Sequence, residues 1–282
     1  MAIKIVTDSS ADVPAKLVKE LGITVVPLYV RFGEEVLRMG VDISDKDYYD
    51  RLLHGTVHPS TIQPPPLDFV KVYQELSKDA DGIVSIHLSS ELSGTYNSAV
   101  QGKKEIAGNK CPIEVIDTRQ VTISLGVIVT SAAAVARAGG SLKQVVEEVK
   151  QGMKDTHMLG LLDTLKYLYL GGRIGKAKQL LGSVLNVKPV LTVKDGVVVP
   201  TAQVRTRPKG VARLIEFARS ASNIQQLWVG YNTTPDEART LADSLGTVFD
   251  RKKIQLAEIG AVLGVHAGPG TLIVSFRGYL KE

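Results

Sequence analysis

Through the first half of the chain, short apolar runs alternate with stretches whose apolar residues recur at helical spacing. Residues 3–6 read as a buried strand that runs into Thr7-Asp8-Ser9-Ser10. Asp12 is placed to cap a helix over 13–21, with Pro14 in its first turn. Residues 24–30 read as a second strand, before a turn around Gly33, and Ser44 caps a helix over 45–53. A loop over 57–63 leads to three prolines, which can only open the helix at 67–78. A strand at 83–88, a helix at 93–106, a strand at 113–116 and an Ala-rich helix at 123–137 follow. The helix at 141–153 opens on a Ser141-x-x-Gln144 capping box. This alternation predicts an α/β fold with a mostly parallel sheet flanked by helices.

The second half has a different pattern. Residues 188–193 and 197–204 flank Asp195-Gly196, which predicts a hairpin, and helices at 209–220 and 235–245 alternate with strands at 226–231 and 254–259. A hairpin among α/β units implies a mixed sheet. Two domains are therefore expected, 1–155 with a mostly parallel sheet and 156–282 with a mixed one.

Composition narrows the class. The 282 residues are 44% hydrophobic and 22% charged, as in ordinary folded chains, while aromatics at 5% leave the core to Val, Leu, Ile and Ala. A net charge of +5 without a basic block or aromatic platform argues against nucleic-acid binding, though weak attraction to an anionic membrane surface is allowed. No apolar run reaches the ~18–20 residues of a membrane span, and the N-terminus lacks a signal-peptide layout. Cys111 stands alone, so neither an internal disulfide nor a multi-Cys metal site is expected. No His/Asp/Glu set has metal-ligand spacing, and a cytoplasmic location is the expectation.

The segment with most chemistry is the strand at 83–88 running into Ser89-Ser90-Glu91-Leu92-Ser93-Gly94-Thr95-Tyr96. In α/β sheets ligands bind beyond the carboxyl ends of strands, and a helix start there offers unpaired N–H groups to an anion. Two readings of Ser93 stand side by side: a helix cap, and a donor in an anion site. No Lys or Arg lies between Ser85 and Gln101, so a carboxylate suits the turn as readily as a phosphate. A Ser93 nucleophile is a third reading, although Gly-x-Ser-x-Gly is absent. Gly171-Gly172-Arg173 reads as a helix end with a cation at its negative pole, and His266 as a lone histidine in a Gly/Pro-rich loop. Asp8 and Asp117, at strand ends, read as turn caps.

Together these segments resemble the DegV family, the fatty-acid-binding subunits of bacterial fatty acid kinase. The resemblance rests on Thr7-Asp8-Ser9-Ser10, Thr61-Ile62-Gln63-Pro64, the run from Leu88 to Tyr96, Asp117-Thr118, Gly171-Gly172-Arg173, Lys188-Pro189-Val190-Leu191, Asp195-Gly196 and His266-Ala267-Gly268-Pro269-Gly270, in that order. It implies one acyl chain buried between two domains, with its carboxylate held by Thr61 and Ser93 beside Gly94 and Thr95. It also implies a separate ATP-dependent kinase that phosphorylates the carboxylate to an acyl-phosphate. This chain would then be no enzyme and would carry no cofactor beyond its fatty acid. Arg173 and His266 would lie towards the head group or face the kinase. The chain departs from the family at Ile62, where a Ser is usual; the hydroxyl at Thr61 survives.

Energetically the tail would dominate. About fifteen buried carbons at ~0.8 kcal/mol each give roughly 12 kcal/mol before association costs, against ~1.5–3 kcal/mol for each hydrogen bond to the carboxylate. The stretch 173–188 adds Lys176, Lys178, Leu180, Leu181, Val184 and Leu185, which read either as a helix packed on its own domain or as a transient contact with anionic membrane. The alternative class is a phosphotransferase or serine hydrolase acting on a small anion through Ser93.

Overall fold

The computed structural model describes residues 2–106, 108, 110–180 and 187–281. In chain order the first half contains β1 (Ala2–Asp8), α1 (Ala15–Leu21), β2 (Ile23–Val26), β3 (Tyr29–Phe32), β4 (Glu35–Arg38), α2 (Asp45–His54), β5 (Ser60–Ile62), α3 (Pro66–Leu76), β6 (Ala80–His87), α4 (Thr95–Glu105), β7 (Ile113–Asp117), α5 (Thr122–Arg137) and α6 (Leu142–Asp155). The second half contains β8 (Thr156–Leu161), α7 (Lys166–Leu170), β9 (Lys188–Lys194), β10 (Val197–Val204), α8 (Arg207–Arg219), β11 (Ala221–Tyr231), α9 (Pro235–Leu245), β12 (Gln255–Glu258), α10 (Ala261–Ala267) and β13 (Leu272–Leu280).

The expected parallel sheet is present, with strand order β2-β1-β6-β7. Its residues alternate between two cores. Val6 and Ile83 pack with Phe69, Val70 and Tyr73 of α3, whereas Ile5, Val84 and Ile86 pack with Leu125, Ile128 and Val129 of α5 and with Val145 and Val149 of α6. The capping box at Ser141 forms with both of its hydrogen bonds.

Two expectations fail here for the same reason. Residues 24–30 are not one strand: Pro27 has no N–H for the ladder, and the chain leaves the parallel sheet after Val26. It resumes as β3 in a small antiparallel sheet of order β4-β3-β5. The segment 57–63, expected as a loop, supplies the edge strand β5 of that sheet, pairing Thr61 with Val30.

Asp12 does not cap the next helix. It takes a left-handed backbone, φ 48°, and α1 begins after Pro14 without a side-chain cap. Asp8 does cap locally, accepting from the Ser10 N–H at 3.0 Å, and Asp117 accepts from the N–H groups of Ser90 and Arg119.

The second sheet is mixed, order β10-β9-β8-β13-β11-β12, with only β11 and β12 parallel among its pairs. Asp195 at φ 53° and Gly196 at φ 84° make the tight hairpin turn expected of that dipeptide. Its tip docks on the first half of the chain. Ser89 Oγ donates to Gly196 O at 2.8 Å, and Arg119 Nη1 to Asp195 O at 3.1 Å.

One face of this sheet is covered by α8 and α9, through Leu214, Leu241 and Leu245. The other packs Met158, Trp228 and Ile273 against Ile123 and Val127 of α5. Helix α5 therefore lies between both sheets, and thirteen of its 16 residues are buried. Near the end of the chain α10 returns to the first half, where Ala261, Val262 and Val265 pack with Leu28, Val30, Tyr48 and Tyr49.

A buried polar relay runs through the parallel sheet. Tyr73 donates to Ser85 Oγ at 2.8 Å, Ser85 meets His87 Nε2 at 2.7 Å, and His87 Nδ1 meets Asp8 Oδ2 at 2.8 Å. With the phenol donating, Ser85 donates to Nε2, and the ring proton on Nδ1 goes to the carboxylate. Because all four side chains are buried, Tyr73→Phe is expected to cost about 1–3 kcal/mol by leaving Ser85 one donor short. Urea unfolding should show a lowered midpoint with an unchanged slope.

Candidate functional site

Four residues far apart in the chain, Thr61, Ser93, Arg173 and His266, line one cavity of about 60 Å³. Each is placed by a local feature of the fold. Thr61 is held by the pairing of β5 with β3. Ser93 lies where the chain leaves β6 for α4; its Oγ accepts from Thr95 N–H at 3.3 Å and shares a 2.9 Å hydrogen bond with Thr95 Oγ1. The expected cap role is not met: α4 takes Gly94 as its N-cap, with no side-chain capping bond, and Ser93 stands one residue earlier, lining the cavity.

Gly94 and Thr95 do not line the cavity. The Thr95 hydroxyl is fully buried against Ser93. At Gly94 a side chain would begin 2.1 Å from Gln63 Oε1, so the glycine is the seat for Gln63. Gln63 in turn donates to Ser98 Oγ at 3.2 Å and ties the Thr61 strand to α4. Spacing gave no sign of this role for Gln63. Ile62, the departure noted above, is exposed and stays off the cavity wall.

Arg173 is positioned by the end of α7. Gly172 sits at φ 68°, the Gly172 N–H returns to Tyr169 O and the Arg173 N–H to Leu168 O, which is the Schellman pattern. The guanidinium then donates to Leu92 O at 3.0 Å and to Gly171 O at 2.8 Å. The lack of a cation near Ser93 along the chain therefore does not hold in space. Arg173 brings a positive charge from the second half to the residue beside Ser93, and neighbouring sequence positions could not reveal it.

His266 occupies the last turn of α10. Its Nε2 lies 3.0 Å from Thr61 Oγ1, and its buried Nδ1 has no partner among the described residues. Nδ1 rests against Gly171, where an added side chain would start 2.1 Å away. Burial, then the nearby charge of Arg173, then His58, push the imidazole down to about 4, so the ring is neutral at pH 7. A neutral ring donating from Nε2 to Thr61 Oγ1 frees the threonine proton for an acceptor in the cavity.

A second cavity, also of about 60 Å³, continues from the first and shares Val121, Leu168, Val198 and Leu263 with it. The threonines on its wall use their hydroxyls elsewhere: Thr122 donates to Asp12, Thr192 to Met158 O and Thr271 to Gly268 O. What faces this cavity is aliphatic, led by Leu162, Leu191 and Ile273. The cavity that carries the polar residues thus adjoins, across these shared side chains, an apolar one lying between α5 and the mixed sheet.

Among the described residues the hydrogen-bond partner of Ser93 is Thr95, and His266 is engaged with Thr61 rather than with Ser93. The Ser85–His87–Asp8 relay has the connectivity of a catalytic triad, but Ser85 is fully buried beneath Tyr73. Among the described residues there is no group of side chains suited to a metal ion, and no helix long and apolar enough to cross a membrane. In the stretch 173–188, Gly175–Leu180 forms a 3-10 helix with Lys176 and Lys178 exposed and Ala177 buried beside Ile174 and Leu168. Leu181, Val184 and Leu185 lie outside the described residues.

Comparison with known proteins agrees with the resemblance. The family model described as "uncharacterised protein, DegV family" matches residues 2–278. A DegV domain-containing protein of Streptomyces coelicolor is 39% identical over 281 residues, covering 98% of this chain and 99% of its own. The fatty-acid-binding DegV family protein of Thermus thermophilus superposes with a TM-score of 0.90 at 32% identity, over 99% of this chain and 100% of its own. A stearic acid-binding protein of Eubacterium ventriosum gives 0.88 at 27% identity, over 98% of each chain. With a family model matched over nearly its whole length and a relative of such identity and coverage, the chain belongs to the DegV family.

Proposed function

We propose that this protein binds a long-chain fatty acid, with the carboxylate at Thr61 and Ser93 and the tail running into the apolar cavity. The observation that carries the reading is the convergence of Thr61, Ser93, Arg173 and His266 around one cavity that adjoins an aliphatic one. Hydroxyl donors and an off-centre cation suit a singly charged head group. A neutral His266 adds polarity without the full positive charge that would hold a phosphate tightly. The fatty-acid-binding relatives support the same ligand. Each cavity is smaller than the ~150 Å³ that admits benzene. Uptake of a long tail therefore requires the shared side chains Leu168, Val198 and Leu263 to turn aside.

In this reading the protein is a substrate-presenting subunit. A separate ATP-dependent kinase phosphorylates the bound carboxylate, and Arg173 faces it. The two domains meet at Thr156, where α6 gives way to β8, and the acyl chain lies between them.

Organic extraction of the purified protein, or native mass spectrometry, should recover a fatty acid; an apo protein that takes up none at micromolar concentration overturns the reading. Thr61→Ala and Ser93→Ala are each expected to weaken acyl binding by about ten- to a hundredfold, the size of one charge-assisted hydrogen bond. Leu263→Trp, filling the passage between the cavities, should abolish it with the fold intact. With a fatty acid kinase from a bacterium carrying a DegV protein, Arg173→Ala should keep acyl uptake yet lose acyl-phosphate formation; unchanged turnover would remove the role given to Arg173.

The depressed His266 adds a pH signature. The unfolded chain takes up this proton near pH 6.5 and the folded one only near 4, so the unfolded state binds more protons in between. Stability is then full above pH 6.5 and falls as pH drops towards 4, by roughly 3 kcal/mol if nothing relaxes. Urea unfolding of His266→Gln across the same range should show that part of the slope removed.

A further inference from the structure

The helices beside Arg173 and His266 are too short to hold their own places. Helix α7 has five residues and α10 seven, short of the ~12–15 at which an isolated helix becomes marginal. They steady each other through contacts that run in antiparallel order, with a glycine at each one. At the end of α7, a side chain on Gly171 would begin 2.1 Å from His266 Nδ1. Next, a side chain on Gly268, which ends α10, would begin 2.2 Å from the Tyr167 ring. Last, a side chain on Gly270 would begin 2.6 Å from Asp163 Oδ2, ahead of α7. Positions 266, 268 and 270 thus rise on one side of the pair as 171, 167 and 163 fall on the other. The Gly171-Gly172-Arg173 and His266–Gly270 segments of the sequence are two faces of this one contact.

The outer end is fastened by polar groups. Arg207, the first residue of α8, donates through Nη1 to Asp163 Oδ1 at 3.0 Å and to Gly270 O, while Glu237 takes its Nε and Nη2. The Asn232 amide donates to Gly268 O at 2.7 Å, and its Oδ1 accepts from the Thr271 N–H at 3.0 Å. Tyr167 is the middle contact, and it has a further neighbour. Its half-buried ring lies 5.8 Å from the His58 ring, centroid to centroid, just ahead of β5. Strand β5 carries Thr61, the partner of His266. One ring therefore stands against all three segments that bring Arg173, His266 and Thr61 to the cavity.

We propose that Tyr167 is a positioning residue for the site: its ring is the shared spacer that sets Arg173, His266 and Thr61 relative to one another. A rigid ring seated on a glycine leaves no slack, since close-packed side chains transmit a displacement to their neighbours. Without the ring, α7 and α10 keep their outer fastening at Arg207 but lose the spacer nearest the cavity. His266 then has room to turn from Thr61, and water reaches it. The spacing depends on the ring, so the Tyr167 hydroxyl is dispensable. The consequence for ligand binding rests on the fatty-acid reading above; the consequence for His266 does not.

The test is nitrogen-15 NMR of ring-labelled histidines in the ligand-free protein, with the His266 signals assigned by their loss in His266→Gln. In Tyr167→Ala the ring is wetter and less tightly held beside Arg173. Its titration midpoint should then rise from about 4 to about 5 or above, towards the ordinary 6.5. At pH 7 its two nitrogen signals should converge, as the proton is no longer kept on Nε2 by Thr61. Tyr167→Phe, which keeps the ring, should restore the wild-type signals. Gly171→Ala should move His266 too, from the other side of the same contact. Where Tyr167→Ala does not fold, Tyr167→Leu carries the same expectation, having bulk without the flat face. Lowered stability with unmoved His266 signals would make the ring ordinary packing and overturn the proposal, as would an equal shift in Tyr167→Phe. On the same samples, affinity for palmitic acid should fall about tenfold in Tyr167→Ala and hold in Tyr167→Phe. Unchanged affinity beside moved His266 signals overturns the link to the site. Absence of palmitic acid binding in every protein, wild type included, would instead remove the fatty-acid reading and leave the His266 result standing.

Discussion

The structure is organised around a helix that is enclosed along all but its last turn. Helix α5 buries thirteen of its 16 residues because the parallel sheet packs on one side of it and the mixed sheet on the other. A helix wrapped in this way must be apolar or small all round, and Thr122–Arg137 is built from Val, Ile, Leu, Ala, Ser, Thr and one Gly before its terminal Arg. Its few hydroxyls are satisfied internally or across the packing. Thr130 and Ser131 bond back to the preceding turn, and Ser124 reaches Ser275. Both cavities lie at the start of this helix, where Val121 borders each.

Features decided by neighbouring residues were legible in the chain. The Asp195-Gly196 hairpin, the Ser141 capping box and the proline-opened helix α3 each depend on a few adjacent positions. What escaped was decided at a distance. The edge strand β5 exists because β3 offers it a ladder, and β3 exists as a separate strand because Pro27 breaks the run. Asp12 has the right residue type and place for a helix cap, yet its carboxylate is drawn to Gly260, which joins it only in the folded chain.

The same division applies to the site. Ser93 could be singled out from its position beyond a strand end, and the resemblance to a family supplied Thr61, Arg173 and His266. That Arg173 stands over Leu92, or that Gln63 sits on Gly94, follows from packing that no spacing encodes. The aliphatic cavity is illegible for a plainer reason: Leu168, Leu191, Val198, Leu263 and Ile273 are indistinguishable by type from residues of the solid core. Only their failure to close upon one another marks them.

Two adjacent glycines at the end of α7 illustrate how unlike reasons can preserve one residue type. Gly172 is required by its backbone: it has open space around it and a dihedral that other residues rarely take. Gly171 has an ordinary helical dihedral, φ −79°, and any residue could adopt it. What forbids a side chain there is the His266 ring. The two sites therefore answer differently to substitution. Asn could replace Gly172 with modest strain, whereas in this chain a side chain at Gly171 requires the His266 ring to leave its place.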